Sequence, residues 1–204
     1  MKILVLATDE AWNELVSNNN IIEWIRTEND HLFLADKTAD AYFNLNVDAT
    51  SMDYTSFKKP VFINSVSTTL KSINAPENIY RINGWTGFIK RDSWEIAGNI
   101  NEDSAAVLSS INKRSVVVKD EPGFIAARII SMIINEAYFA KAENVSTEKE
   151  IDIAMKLGTN YPFGPFEWAR LIGIENIYTL LKTISENDQR YKPASLLEKE
   201  VIKK

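Results

Sequence analysis

The stretch from Asp120 to Glu143, DEPGFIAARIISMIINEAYFAKAE, limits the fold more than any other part of the chain. Its spacing predicts a helix. That helix is apolar over most of its circumference, through Phe124, Ile125, Ile129, Ile130, Met132, Ile133, Ile134, Ala137, Tyr138 and Phe139. A solvent-facing helix keeps its apolar residues to one stripe, so this one must be covered on several sides. Arg128, Asn135 and Glu136 interrupt it well short of the roughly 20 apolar residues that span a bilayer, and no membrane partner is expected. The half of the chain that contains it is too small to guarantee that cover by itself. The first half or a second copy of the chain could supply it. A homodimer through the helical half is therefore expected alongside a central helix within the monomer.

The chain changes grammar at this point. Up to Lys119 it reads as short apolar runs bounded by Asp, Asn, Gly and Pro, the pattern of buried strands. Candidate strands are Lys2–Ala7, Leu32–Ala35, Ala41–Leu45, Val61–Asn64, Ile79–Ile82, Trp94–Gly98 and Ser115–Val118. Helical spacing lies between some of them, near Ala11–Arg26 and Asp103–Ile111. Strands alternating with helices point to a parallel α/β sheet. From Asp120 onward only helices are predicted. Pro122 suits a first helical turn with Asp120 near its N-cap. Thr147 and Glu150 have capping-box spacing, as do Ser195 and Glu198. Gly158 and Gly173 read as helix ends, and Pro165 as a helix start. The expected organisation is an α/β domain over 1–119 and a small all-α domain over 120–204.

Charge and composition exclude several functions. With 23 basic and 28 acidic residues, the net charge is −5, and no basic cluster exceeds Lys58-Lys59 or Lys203-Lys204. Phosphate backbones demand more, so no nucleic-acid partner is expected. The chain has no cysteine, which removes disulfides and thiolate chemistry and fits a cytoplasmic protein. His31, the single histidine, reads as a polar residue at a strand start rather than a metal ligand. The opening run MKILVLATDEAW turns acidic at Asp9 and Glu10 and reads as a buried strand, not a signal peptide.

The segments VVVKDEPGFIAARI, then NEA, then EIDIAMKLGTNYPFGPFEWARLIGIENIYTLL resemble the C-terminal domain of the 3-hydroxyacyl-CoA dehydrogenase family. The resemblance covers roughly Ser115 to Tyr191, with K-D-x-P-G-F, I-D-x-A-M-x-x-G and P-x-G-P-F-E in the family's order and spacing. It implies a Rossmann domain that binds NAD, here a truncated Rossmann-like parallel-sheet domain. It also implies a helical domain that helps bind acyl-CoA and forms a dimer. Possible acyl-CoA binding and a likely homodimer are thus expectations from the resemblance.

The family's chemistry needs a glycine loop for the pyrophosphate, a base for the hydroxyl proton and donors for developing charge. The resemblance lets each be sought. No glycine occurs from Met1 to Asn83, and the first turn reads VLATDEAWNEL, where Asp9 and Glu10 would face the pyrophosphate. Setting Glu95 on the family glutamate puts Asn83 where G-x-H-F-F-N-P carries its histidine, and an amide does not serve as a base near neutral pH. Ala127 takes the asparagine position of P-G-F-x-x-N-R. The family serine falls in INSVSTTL, on Ser65 or Ser67. Arg170 stands where an aspartate is more usual. The expected reading is a 3-hydroxyacyl-CoA dehydrogenase-like protein without NAD-dependent oxidation. The alternatives are an active NAD-dependent enzyme, a chain that works beside another nucleotide-binding subunit, and a non-catalytic dimeric interaction protein.

Overall fold

Short, nearly continuous apolar runs become buried strands because both faces of a parallel sheet are covered. The computed structural model describes residues 1–16, 22–47 and 49–203, in two units, Met1–Phe124 and Ile125–Lys204. In the first unit, β1 (Lys2–Leu6), β2 (Glu23–Thr27), β3 (Ala41–Asn44), β4 (Val61–Asn64), β5 (Ile79–Ile82), β6 (Ser93–Ala97) and β7 (Arg114–Val117) make one sheet. The strand order is β2-β1-β3-β4-β5-β6-β7. Every pair is parallel except β5 with β6. A full mononucleotide half runs 3-2-1 before the chain crosses over. Among the described residues only β2 lies outside β1, so the Rossmann-like half is shortened, in keeping with the fold read from the sequence.

Alternate side chains of these strands feed two cores. On one face Ile3, Val5, Phe43, Phe62, Ile82 and Ile96 pack with Leu15 of α1 (Asp9–Leu15) and Val107 and Leu108 of α3 (Glu102–Ser110). On the other, Leu4, Leu6, Val61 and Ile63 meet Phe33 of α2 (Asp30–Ala35) and the irregular segment that carries Tyr54 and Phe57. The rings of Phe43, Phe62 and Tyr80 stack across β3, β4 and β5, with centroids 4.8 and 5.1 Å apart. Burying each such ring contributes about 1.5–3 kcal/mol, which makes the centre of the sheet a rigid platform.

Several local expectations are corrected. Leu32–Ala35 is helical, not a strand: Asn29 caps the helix by accepting from Leu32 N at 3.1 Å, and only Phe33 is buried. The helix expected over Ala11–Arg26 stops at Leu15, its middle falls on residues 17–21 outside the described set, and Glu23–Thr27 is strand β2. Both segments are too short for periodicity to separate helix from strand. Pro122 does not open a helix. Gly123 and Phe124 take φ of +87° and +50°, so the chain turns before α4 (Ala126–Ala142) begins.

The second unit adds α5 (Glu148–Thr159), α6 (Pro165–Ile172), α7 (Ile174–Ser185) and α8 (Ser195–Ile202) to α4. The Thr147–Glu150 capping box forms, and Pro165 stands in the first turn of α6. Asn160 in a left-handed conformation ends α5, rather than Gly158. Ser195 is the first residue of α8, and Ala194 precedes it without a side-chain cap, so that second box is not made. α4 packs against α6, α7 and α8 along Ile130, Ile134, Ala137 and Tyr138. Asn135 interrupts the apolar run for a reason: it donates to Lys192 O at 2.9 Å and accepts from Ala194 N at 2.8 Å, tying down the entry to α8. Ile125, Ile129 and Phe139 stay exposed.

Candidate functional site

A doubly wound sheet offers its ligand site at the C-terminal ends of its strands. At the end of β1 the chain passes through Ala7 and Thr8 into α1, only seven residues long. Thr8 spends its hydroxyl on Ala11 N, and Asp9 and Glu10 place negative charge in the first turn. Arg26 of β2 reaches across the turn. Its Nε donates to Ala7 O at 3.1 Å, and its other nitrogens pair with Asp9 and Glu28. A pyrophosphate needs bare backbone and free N–H groups. This turn has a capping side chain, two carboxylates and an arginine already committed to its own chain. These residues do not fit the diphosphate of NAD.

The next three strands, AYFN, VFIN and IYRI, are closed or followed by asparagine at that edge: Asn44 and Asn64 close β3 and β4, and Asn83 follows β5. Asn44 donates to Tyr54 Oη at 2.8 Å and accepts from Asn46 N at 3.1 Å. Burial, eased by the Asn44 bond, pushes the Tyr54 phenol well above its ordinary value. Asn64 donates to Leu45 O at 3.2 Å and accepts from Gly84 N at 3.0 Å. Any Cβ at position 84 would overlap the Asn64 side chain, so glycine is required by this close approach. Asn83 accepts from Trp85 N at 3.3 Å, while its Nδ2 has no hydrogen-bond partner.

The residues singled out by sequence lie partly together. Ser65 N bonds Ile82 O at 3.4 Å, so Ser65 and Asn83 share the ends of adjacent strands. The Ser65 hydroxyl turns into its own loop and donates to Thr68 O at 2.6 Å. Ser67 is half-buried in that loop. The antiparallel pairs Arg81↔Ala97 and Ile82↔Ile96 make Asn83 and Glu95 the next opposed residues. Asn83 Nδ2 nevertheless does not donate to Glu95, because it donates to nothing. Glu95 is half-buried and has the Arg91 charge nearby. Ala127, in the helical unit, is fully buried on α4.

Sequence reasoning missed Arg81, which is 0% exposed. Its Nε donates to Ser65 O at 2.9 Å, one terminal nitrogen to Val66 O at 3.1 Å and the other to Asp120 Oδ1 at 2.5 Å. Its plane lies 4.7 Å from the centre of the Phe124 ring. Asp120 also accepts from Leu70 N and Lys71 N, both at 3.0 Å. Asp120 is thus a clamp on the loop after β4, not the helix cap expected for it. Burial opposes ionisation of Asp120, but the two amides and Arg81 outweigh it and hold the carboxyl below its ordinary value. Burial draws the Arg81 guanidinium down, against the pull of Asp120. An arginine inside an apolar strand, 39 residues before a matched aspartate, was the only signal in the sequence.

The family-like motif of the helical unit is structural. Asp152 accepts from Phe166 N at 2.8 Å, and Glu167 accepts from Gly164 N at 2.9 Å and pairs with Lys156 at 2.6 Å. Gly164 leaves room for Asp152, whose side chain a Cβ there would overlap. Arg170 is not simply solvated: it lies 3.3 Å from both Glu148 and Asp152 while remaining 62% exposed. Among the described residues no group of three His, Cys, Asp or Glu is placed to hold a metal, and no helix is long and apolar enough to cross a membrane.

The architecture is a mostly parallel, Rossmann-like sheet followed by a helical unit. Residues 123–204 match the family model described as 3-hydroxyacyl-CoA dehydrogenase, C-terminal domain. The 3-hydroxyadipyl-CoA dehydrogenase of Escherichia coli is 28% identical over 195 residues, 91% of this chain and 40% of that protein. The 3-hydroxybutyryl-CoA dehydrogenase of Clostridioides difficile is 38% identical over 112 residues, 53% of this chain and 40% of that protein. A solved (S)-3-hydroxybutyryl-CoA dehydrogenase from Ralstonia eutropha shares the fold, with a TM-score of 0.67 at 21% identity over 89% of this chain and 70% of that one. The chain is thus similar to the 3-hydroxyacyl-CoA dehydrogenase family, through that family's C-terminal domain over residues 123–204 and through these relatives over more of its length. It spans about 40% of the length of these two curated relatives.

Proposed function

We propose that this chain is a 3-hydroxyacyl-CoA dehydrogenase-like protein that keeps an acyl-CoA ligand but does not itself carry out NAD-dependent oxidation. The observation that carries this reading is the β1–α1 turn, where Arg26 donates to Ala7 O and pairs with Asp9 while Thr8 caps Ala11 N, instead of leaving backbone open to a pyrophosphate. Two further positions support it. Asn83 has an amide where the family places its histidine, and an amide takes no proton from a hydroxyl at neutral pH. Ala127 has a methyl group where the family places an asparagine. Retention of an acyl-CoA ligand is supported by the resemblance to that family alone. A cytoplasmic location and self-association through the helical unit complete the reading. The exposed Ile129 and Phe139 of α4, with Ile125 just before it, favour association, since exposed apolar patches mark contact surfaces.

Thermal unfolding in the presence of NAD, NADH, acetoacetyl-CoA and free CoA tests this, with NADH turnover followed in parallel. A ligand that binds only the native state adds about 2.7 kcal/mol at a hundredfold excess over its dissociation constant. The CoA compounds are expected to raise the midpoint, and the nicotinamides to leave it unchanged. A shift with NADH, with turnover, would restore the active dehydrogenase. No shift with any ligand would leave an interaction protein, and a single monomeric species in sedimentation at high concentration would remove the dimer.

A further inference from the structure

A cavity of about 300 Å³ opens at the amino edge of the sheet, away from the C-terminal strand ends described above. Its volume lies at the lower end of small-molecule sites, about 300–1,000 Å³. The antiparallel pairing of β5 with β6 builds it. The chain leaves β6 beside the start of β5, so Asn99 and Asn101 join Asn78, which directly precedes β5. The loop before β4 adds Lys58, and the loop before β5 adds Glu77. Two of the amides are fixed in opposite senses. Asn78 Nδ2 donates to Phe57 O at 3.2 Å and to Lys59 O at 2.8 Å, which engages both of its hydrogens and leaves Oδ1 to accept. Asn101 Oδ1 accepts from Ser104 N at 3.0 Å as the cap of α3, which leaves Nδ2 to donate. Flipping either amide would break these bonds, so the bonds themselves assign the atoms. Lys58 and Glu77 are exposed, and among the described residues neither takes part in an ion pair. The cavity thus presents a cation with an amide donor, and an anion with an amide acceptor.

We propose that this cavity is a site for a small zwitterion, a free α-amino acid. Its carboxylate meets Lys58 and Asn101 Nδ2, and its ammonium meets Glu77 and Asn78 Oδ1. A bare anion would be repelled by Glu77, and by Glu102 and Asp103 in the first turn of α3. A bare cation would leave Lys58 facing its own sign. A neutral polyol would satisfy the amides and leave both charges without partners. A zwitterion engages all four groups, with charge-assisted hydrogen bonds at each end. The site stands whether or not an acyl-CoA ligand is retained, since it shares no residue with the β1–α1 turn or with the strand ends that carry Ser65 and Asn83.

The test is calorimetric titration of the full chain with the common free α-amino acids, each beside its N-acetyl and methyl-ester derivatives. At least one free amino acid is expected to bind one-to-one. Blocking either end should weaken it roughly tenfold, as loss of one hydrogen bond to a charged group gives. Glu77→Gln should weaken binding of the free form and leave the N-acetyl form unchanged. Lys58→Met should weaken the free form and leave the methyl ester unchanged. Both side chains are exposed, so the unfolding midpoints of these variants should match the wild type. Asn101→Asp keeps the acceptor that caps α3 but replaces the donor with negative charge, and should weaken binding as well. No binding by any free amino acid, equal binding of the blocked forms, or an affinity unchanged in both Glu77→Gln and Lys58→Met would overturn the inference. Each of these results leaves the CoA titrations, and with them the acyl-CoA reading, as they stand.

Discussion

The two units hold their charges in opposite ways. In the sheet unit, Arg81 is wholly buried and its neighbours Ser65, Val66 and Asp120 are bent around it. In the helical unit, Lys141 pairs with Glu148 and Glu200, and Arg170 with Glu148 and Asp152, on side chains that are mostly part-exposed. The helical unit keeps the family motif, and there Asp152, Gly164 and Glu167 close the corner between α5 and α6. The sheet unit carries asparagine and arginine at and near the ends of β3, β4 and β5. Its core depends on apolar volume, whereas the edge depends on a few polar atoms.

The largest expected effect breaks the buried side of that comparison. Asp120→Ala leaves the Arg81 charge buried without a counter-charge and frees the amides of Leu70 and Lys71. Removing one partner of a buried pair costs about 3–5 kcal/mol, so denaturant unfolding should show most of the unit's stability lost. The pH dependence carries the same signature. The Asp120 carboxyl lies below its ordinary value near 3.8 when folded. Its stabilisation is therefore complete above that value and fades as pH falls through the lower native one. Wild type should lose stability on that acid limb, and Asp120→Ala should lack that part of the loss.

A middle effect comes from the helical unit's cap. Thr147→Ala removes the acceptor for Glu150 N and should cost about 1 kcal/mol, read as a lower unfolding midpoint with unchanged slope. The smallest comes from Arg170→Ala. Its two partners lie at 3.3 Å and the arginine is 62% exposed, so the loss should stay below about 1 kcal/mol and vanish in high salt. A large, salt-insensitive loss at Arg170 would show that the two charge clusters are not different in kind.

Much of the fold was legible because its signals are local. The apolar runs at 41–44, 61–64 and 79–82 are buried strands. Thr147 with Glu150, and Pro165, mark real helix starts. The misread pieces, Leu32–Ala35 and Glu23–Thr27, are six residues or fewer, where pattern length cannot separate helix from strand and the sheet decides. The candidate site was legible only as positions. Ser65, Asn83 and Glu95 were picked by their place in a motif. That Ser65 turns inward to Thr68 O, and that Asn83 keeps a free donor, depends on atoms from other strands and loops.

By itself the sequence determined the architecture of each half and the absence of glycine from Met1 to Asn83, because these follow from residue type and short-range spacing. The tertiary structure alone decided which charges meet. Arg26 meets Asp9 across 17 residues, and Arg81 meets Asp120 across 39. Partners so far apart in the chain leave no periodic trace, since only the folded sheet brings them within hydrogen-bond reach.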